Sequence, residues 1–182
     1  MARIIAICNQ KGGVGKTSVA TNLPVFLIGL GKKVLLVDVD PQANATFSLG
    51  FNPNYLPVSI YHALVGKLRL GEILKEGPFL NFHLAPSSPD LAGATVELVN
   101  LSDREFRLSK LLEEVKNRYD YILIDTPPSL GILTVNALCA ANEVLIPVQC
   151  EYLALEGLEQ LLKTIHLIRE NLGKNLSITG IL

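Results

Sequence analysis

Six short apolar runs recur along the chain: "RIIAIC" (3–8), "KVLLVD" (33–38), "NFHLAP" (81–86), "YILID" (121–125), "EVLIPV" (143–148) and "SITGIL" (177–182). Most are continuous rather than alternating and rich in Ile and Val. That is the pattern of strands buried on both faces. Between them lie longer stretches with helical spacing, over 16–30, 89–100, 104–118, 130–141 and 153–171. Region 50–80 is weaker; Pro53, Pro57 and Pro78 mark loops around a short helix over 60–65. Strands alternating with helices predict an α/β fold with helices on both sides of a mainly parallel sheet. Pro24 falls inside the first helix and is expected to kink it or force a local adjustment, because proline removes a backbone donor. No repeat, linker or low-complexity segment divides the chain, so residues 1–182 are expected to form one domain.

Composition narrows this picture. Apolar residues make up 49% and the mean hydropathy is +0.36. A membrane span would need roughly 18 consecutive apolar residues. The best candidate, 23–40, is broken by Gly29, Gly31, Lys32 and Lys33, so buried strands account for the excess. The formal net charge of −1 gives no global basic field for nucleic acid. Cys8, Cys139 and Cys150 form no CxxC pair, and Cys8 and Cys150 close strand-like runs, which suits buried free thiols in a reducing cytoplasm. His62, His83 and His166 lack metal-ligand spacing. The first residues do not read as a secretion signal, and the last run stops within a strand pattern, so the domain is expected to be C-terminally incomplete.

The chemistry concentrates after the first and fourth strand candidates and after the second. "NQKGGVGKTS" (9–18) follows the first strand and opens the first helix. Glycines at 12, 13 and 15 let backbone N–H groups close around phosphates, and the helix start adds its positive dipole end. Lys16 then offers a point charge to the β- and γ-phosphates, and Thr17 a hydroxyl to Mg²⁺. The loop departs from G-x-x-x-x-G-K-[ST] in having Gln10 at the first position, and it carries an additional Lys11. "YILIDTPP" ends an apolar strand in Asp125, the form of an aspartate that holds Mg²⁺ through water. Thr126-Pro127-Pro128 leaves the strand where a nucleotide-sensing switch belongs. In "LLVDVDPQANAT", Asp40 is placed to orient attacking water, while Asp38 supports the outer magnesium shell.

"KGGVGKTS" with its leading lysine, "LLVDVDPQANAT", "YILIDTPPSLGILTVNAL" and "IPVQCEYLALEGLEQL" together resemble the ParA/Soj family of partition ATPases, within the deviant-Walker P-loop NTPases. The resemblance runs over essentially the whole chain. It implies a three-layer α/β/α fold, ATP and Mg²⁺ as ligands, and slow, partner-stimulated hydrolysis. It further implies an ATP-bound sandwich dimer in which Lys11 reaches the partner's phosphates. By the same resemblance Lys16 serves its own nucleotide, Thr17 ligates Mg²⁺, Asp40 is the hydrolysis residue and Asp125 the Walker B acid. Residues Lys11, Gly12, Gly13, Val14, Gly15, Lys16, Thr17 and Ser18 would form the nucleotide loop, with Gly12 at the dimer contact. Glu151 and Tyr152 would line the dimer interface or merely enter the last helix.

A ParB-like activator and nonspecific DNA are the expected partners, with no membrane and a cytoplasmic, nucleoid-associated location. The DNA-contacting residues and the adenine pocket are expected beyond residue 182. A MinD-like or other cargo-positioning ATPase, or a nonhydrolysing nucleotide-dependent module, are the alternatives. "DTPPSLG" lacks the cysteines of iron–sulfur relatives, and GGVGKT lacks the G-x-G-x-x-G of Rossmann dehydrogenases.

Overall fold

The computed structural model describes residues 2–151 and 154–182. Seven strands form one sheet: β1 (Arg3–Ile7), β2 (Val34–Asp38), β3 (Lys75–Glu76), β4 (Phe82–Ala85), β5 (Tyr121–Asp125), β6 (Glu143–Ile146) and β7 (Ser177–Ile181). Their order is β3-β4-β2-β5-β1-β6-β7, and every neighbouring pair is parallel except β3–β4. All six expected strands are present. The short antiparallel β3 has too few residues to carry a hydrophobic period.

Among the described residues eight α-helices occur: α1 (Lys16–Gly29), α2 (Asn44–Ser48), α3 (Ile60–Leu64), α4 (Leu70–Ile73), α5 (Leu91–Glu97), α6 (Arg107–Glu113), α7 (Ile132–Ala140) and α8 (Ala154–Leu172). Period-two alternation divides the sheet into two buried faces. Ile5, Ile7, Leu36 and Leu123 pack with Ala20 of α1 and Ala45 of α2. Ile4, Ala6, Leu35, Val37, Ile122 and Ile124 pack on the other side with α3 and α5 to α8. The result is a three-layer α/β/α sandwich. Every residue of β2 is buried, and each such leucine or valine contributes roughly 1.5–3 kcal/mol over leaving it exposed.

α1 runs from Lys16 to Gly29 through Pro24, which is itself buried. Two expectations change. The stretch 104–118 is not one helix: α6 is flanked by 3-10 turns at Arg104–Phe106 and Lys116–Arg118. The buried Asn136 of α7 explains the first boundary. Its amide donates to the Arg104 carbonyl (2.7 Å) and its oxygen accepts from the Leu108 N–H (3.1 Å), which takes the place of a helix cap. Cys150 is exposed, not buried as its run suggested, because β6 ends at Ile146 and the chain has left the sheet by then; Cys8 and Cys139 are buried.

Candidate nucleotide-binding site

Parallel register brings the chemistry to one edge. Asp38 of β2 pairs with Asp125 of β5, and Asp125 pairs with Ile7 of β1, so all three strands end at the same level. The loop leaving β1 crosses this edge and enters α1. Gly13 and Gly15 hold it in left-handed conformations (φ 76° and 90°), which a side chain would strain. Gly15 is the N-cap of α1 and supplies no side-chain acceptor. The first N–H groups of the helix are therefore free for an external anion.

An open cleft of about 380 Å³ lies over this loop, lined by Gly12, Gly13, Gly15, Lys16, Thr17, Ser18 and Asp40. Pro128, from the expected switch segment, also lines it, and Gln42 and Asn44, not singled out from sequence, complete the lining. Val14 is buried beneath the loop rather than in the cleft.

Lys16 is buried, and its ammonium donates to the Lys11 carbonyl at 2.8 Å. Burial pulls its pKa down, while Cys8, Asp125 and Asp40 oppose that fall. The Thr17 hydroxyl donates to Asp125 Oδ2 at 2.8 Å. Asp125 is fully buried and its Oδ1 has no partner. Burial first, then the charge of Asp38, pushes its pKa up to about 7, against the Thr17 hydrogen bond. An orphaned carboxylate oxygen costs about 1–3 kcal/mol. Together with the Thr17 hydroxyl it forms the hard-oxygen set that suits Mg²⁺ and its waters.

Asp38 sits differently. It is fully buried, with Oδ2 accepting from the Thr46 N–H (2.9 Å) and hydroxyl (2.7 Å), and Oδ1 from the Asp40 N–H (3.1 Å). Burial raises its pKa to about 6 despite those donors. The Thr46 hydroxyl also accepts from the Ser87 N–H (2.9 Å), and the Ser87 hydroxyl donates to the Asp40 carbonyl (2.7 Å). Asp38 thus braces the loop that carries Asp40. Asp40 itself accepts from the Gln42 N–H at 2.9 Å and faces the cleft.

Lys11 does not line the cleft. Its ammonium pairs with Glu151, and it borders a separate concavity with Gln10 and Gln160. Glu151 is therefore brought to the loop, whereas Tyr152 lies outside the described residues. Sequence reading also missed Asn9. Buried at the loop's start, it donates to the Pro147 carbonyl (2.6 Å) and accepts from the Lys11 N–H (3.0 Å), which fixes the loop to the end of β6. Among the described residues, no group of three or more His, Cys, Asp or Glu side chains clusters as a metal site.

A glycine loop between a central parallel strand and a helix, facing a strand-end aspartate bonded to the helix's threonine, defines a P-loop nucleoside triphosphatase fold. The family described as "AAA domain" matches residues 2–178. The chain is 52% identical over its full length to the sporulation initiation inhibitor protein Soj of Bacillus subtilis (strain 168), covering 72% of that protein. It is likewise 52% identical to the chromosome-partitioning ATPase Soj of Treponema pallidum (strain Nichols), covering 70% of it. It also superimposes on a solved cobyrinic acid a,c-diamide synthase from Mycobacterium smegmatis with bound ATP analogue and magnesium. The TM-score there is 0.96 at 40% identity, covering all of this chain and 74% of that one. The chain belongs to the ParA/Soj family of P-loop ATPases.

Proposed function

We propose that this protein is a ParA-like ATPase that forms an ATP-dependent sandwich dimer and drives DNA partition, with hydrolysis stimulated by a ParB-like partner. The observation that carries the reading is the division of labour between the two lysines. Lys16 is buried at the cleft floor, whereas the Lys11 ammonium turns away from its own cleft towards Glu151. A lysine so directed serves a neighbouring subunit's phosphates better than its own. The partition role and the nucleotide are supported by the names of the relatives and by the nucleotide and magnesium in the solved neighbour.

In this reading the loop N–H groups of 12–18 bind phosphate oxygens and Lys16 neutralises their charge. Thr17 and Asp125 hold Mg²⁺, with Asp125 acting through water and Asp38 contributing only its charge from the outer shell. Bound Mg²⁺ would supply charge neutralisation at the terminal phosphates. Asp40 orients the attacking water. Gly12 lies on the exposed rim, where a bare backbone permits close approach of a second copy. A trans lysine makes charge stabilisation depend on assembly, so unstimulated turnover is slow. Association of the dimer with the nucleoid then follows from nonspecific DNA binding by the whole protein. Among the described residues no helix is long and apolar enough to cross a membrane.

The test is ATP-dependent dimerisation by light scattering, beside phosphate release, in wild type, Lys11→Ala and Asp40→Ala. Asp40→Ala should dimerise with ATP and not hydrolyse it. Lys11→Ala should lose dimerisation or hydrolysis; wild-type behaviour in both assays would remove the trans-lysine reading.

A further inference from the structure

The cleft lies at the C-terminal ends of the strands. At the opposite end, the residues that enter β2, β4 and β5 converge on a second hollow. The Val34 N–H donates to the Asn81 carbonyl (2.9 Å), and the Asp120 and Tyr121 N–H groups both donate to the Lys33 carbonyl (2.9 and 3.2 Å). These bonds hold Lys33, Asn81 and the Arg118–Tyr119 turn side by side. With His83 of β4 they line a hollow of about 320 Å³. A five-residue strand separates it from the nucleotide cleft by about 16 Å.

Two features distinguish this hollow from a surface dent. Tyr119 is only 6% exposed, yet among the described residues its buried hydroxyl has no hydrogen-bond partner, and neither has His83 Nδ1. Unpaired buried polar atoms are costly and rare, and here two belong to residues that line one hollow. Their rings meet edge to face with centroids 5.6 Å apart, and the Arg118 guanidinium lies over the Tyr119 ring at 5.8 Å. In addition, neither Lys33 nor Arg118 makes an ion pair among the described residues. Two carboxylates stand nearby. Asp120 Oδ2 accepts from the Lys33 backbone N–H (2.8 Å), and Glu76 of β3 acts on His83 against Arg118. Neither forms an ion pair with the two cations.

The geometry points to a phosphate-binding site here, in which Lys33 and Arg118 pair with a phosphate group and Tyr119 donates its orphan hydroxyl. The Asn81 amide is a further donor at the rim. The volume is at the lower end for small-ligand pockets, so the hollow takes a phosphate group with little attached to it. The phosphate comes either from a small ester or from a nucleic-acid backbone. The site rests on no assumption about the cleft at the other end of the sheet.

The test follows the backbone amides of ¹⁵N-labelled full chain during titration with inorganic phosphate, against sodium chloride at matched ionic strength. Amides of 12–18 report separately on the nucleotide loop. Saturable shifts are expected at Lys33, Asn81, His83 and Tyr119. Arg118→Ala and Tyr119→Phe should each weaken them about tenfold. Tyr119→Phe keeps the ring and deletes an unpaired hydroxyl, so its thermal midpoint should not fall. A second arm adds a short nonspecific DNA duplex. Competition with phosphate at these amides assigns the group to a polynucleotide, and its absence assigns it to a small ester. No shift beyond the chloride control, or equal shifts in both variants, would overturn the site and leave a hollow filled by water.

Discussion

Replacing Thr46 by valine isolates what the Asp38 network is worth. The side chains have the same shape, and Thr46 is fully buried, so no cavity opens. What disappears is one hydroxyl that both donates to Asp38 Oδ2 (2.7 Å) and accepts from the Ser87 N–H (2.9 Å). A hydrogen bond to a charged group is worth about 1.5–3 kcal/mol, and an orphaned buried N–H costs about 1–3 kcal/mol. The backbone N–H of Thr46 and that of Asp40 still serve Asp38, so the loss settles near the lower part of the summed range, about 3 kcal/mol. For a chain of this size that is roughly 6–12 °C in thermal midpoint. Urea denaturation at pH 8 without nucleotide measures it, with an unchanged slope against denaturant. Thr46→Ser keeps the hydroxyl and should cost about 1 kcal/mol. The penalty also has a pH signature. The lost bond favours ionised Asp38, whose pKa is already raised to about 6. Valine raises that pKa further, so the charge-dependent part of the Thr46→Val penalty is full only above the variant's own, higher pKa and is largely lost once the pH has fallen through about 6. A penalty under about 1 kcal/mol at pH 8, or one that grows towards acid, would refute the reasoning.

Two further outcomes follow from charges elsewhere. Arg3 clasps Glu143 with two hydrogen bonds (2.8 and 2.7 Å), and the Thr179 hydroxyl adds a third (2.6 Å); Arg3 foremost holds the Glu143 pKa down to about 2. A depressed acid stabilises the fold above its unfolded value near pH 4 and loses that effect as pH falls towards 2. Because Arg3 is half exposed, Glu143→Gln should cost no more than about 1 kcal/mol at pH 7 and nothing near pH 2, read by thermal melts across that range. Asp125→Asn should raise the thermal midpoint of the nucleotide-free protein at pH 8, since it removes a buried charge with an unpaired oxygen. The same variant should lose magnesium-dependent ATP binding in calorimetry, so a variant that binds normally would refute the assigned metal role.

Six of the strands were legible because each lies in a short, largely apolar run, and the loop from Gly12 to Thr17 was legible because its glycines and lysine have few other uses at a strand–helix junction. The supporting network was not. Asn9, Thr46 and Ser87 are single polar residues in loops or short helices, and their partners lie 138, 8 and 47 residues away. Only the folded register makes them neighbours. α2 begins after Ala43 in a left-handed conformation (φ 52°), and its five residues span too little chain to show a helical period. The pairing of Lys11 with Glu151 is of the same kind, joining positions 140 residues apart. The broken helix at 104–118 was misread because amphipathic spacing reports the buried face but not the side chain of Asn136 that interrupts it.

The placement of β1 has a consequence for how the molecule is made. It sits between β5 and β6, so Arg3 must wait for Tyr121, 118 residues later, before its first sheet neighbour exists. During synthesis the phosphate loop leaves the ribosome well before β5 and β6, the strands that flank β1, and so waits for its walls. Until residue 125 emerges, "RIIAIC" is an apolar strand with two open edges, and such segments invite misassociation. Folding is therefore expected to be slow and governed by non-local pairing. Lesions in β5, far along the chain from the glycines, should abolish nucleotide binding as surely as lesions in the loop itself.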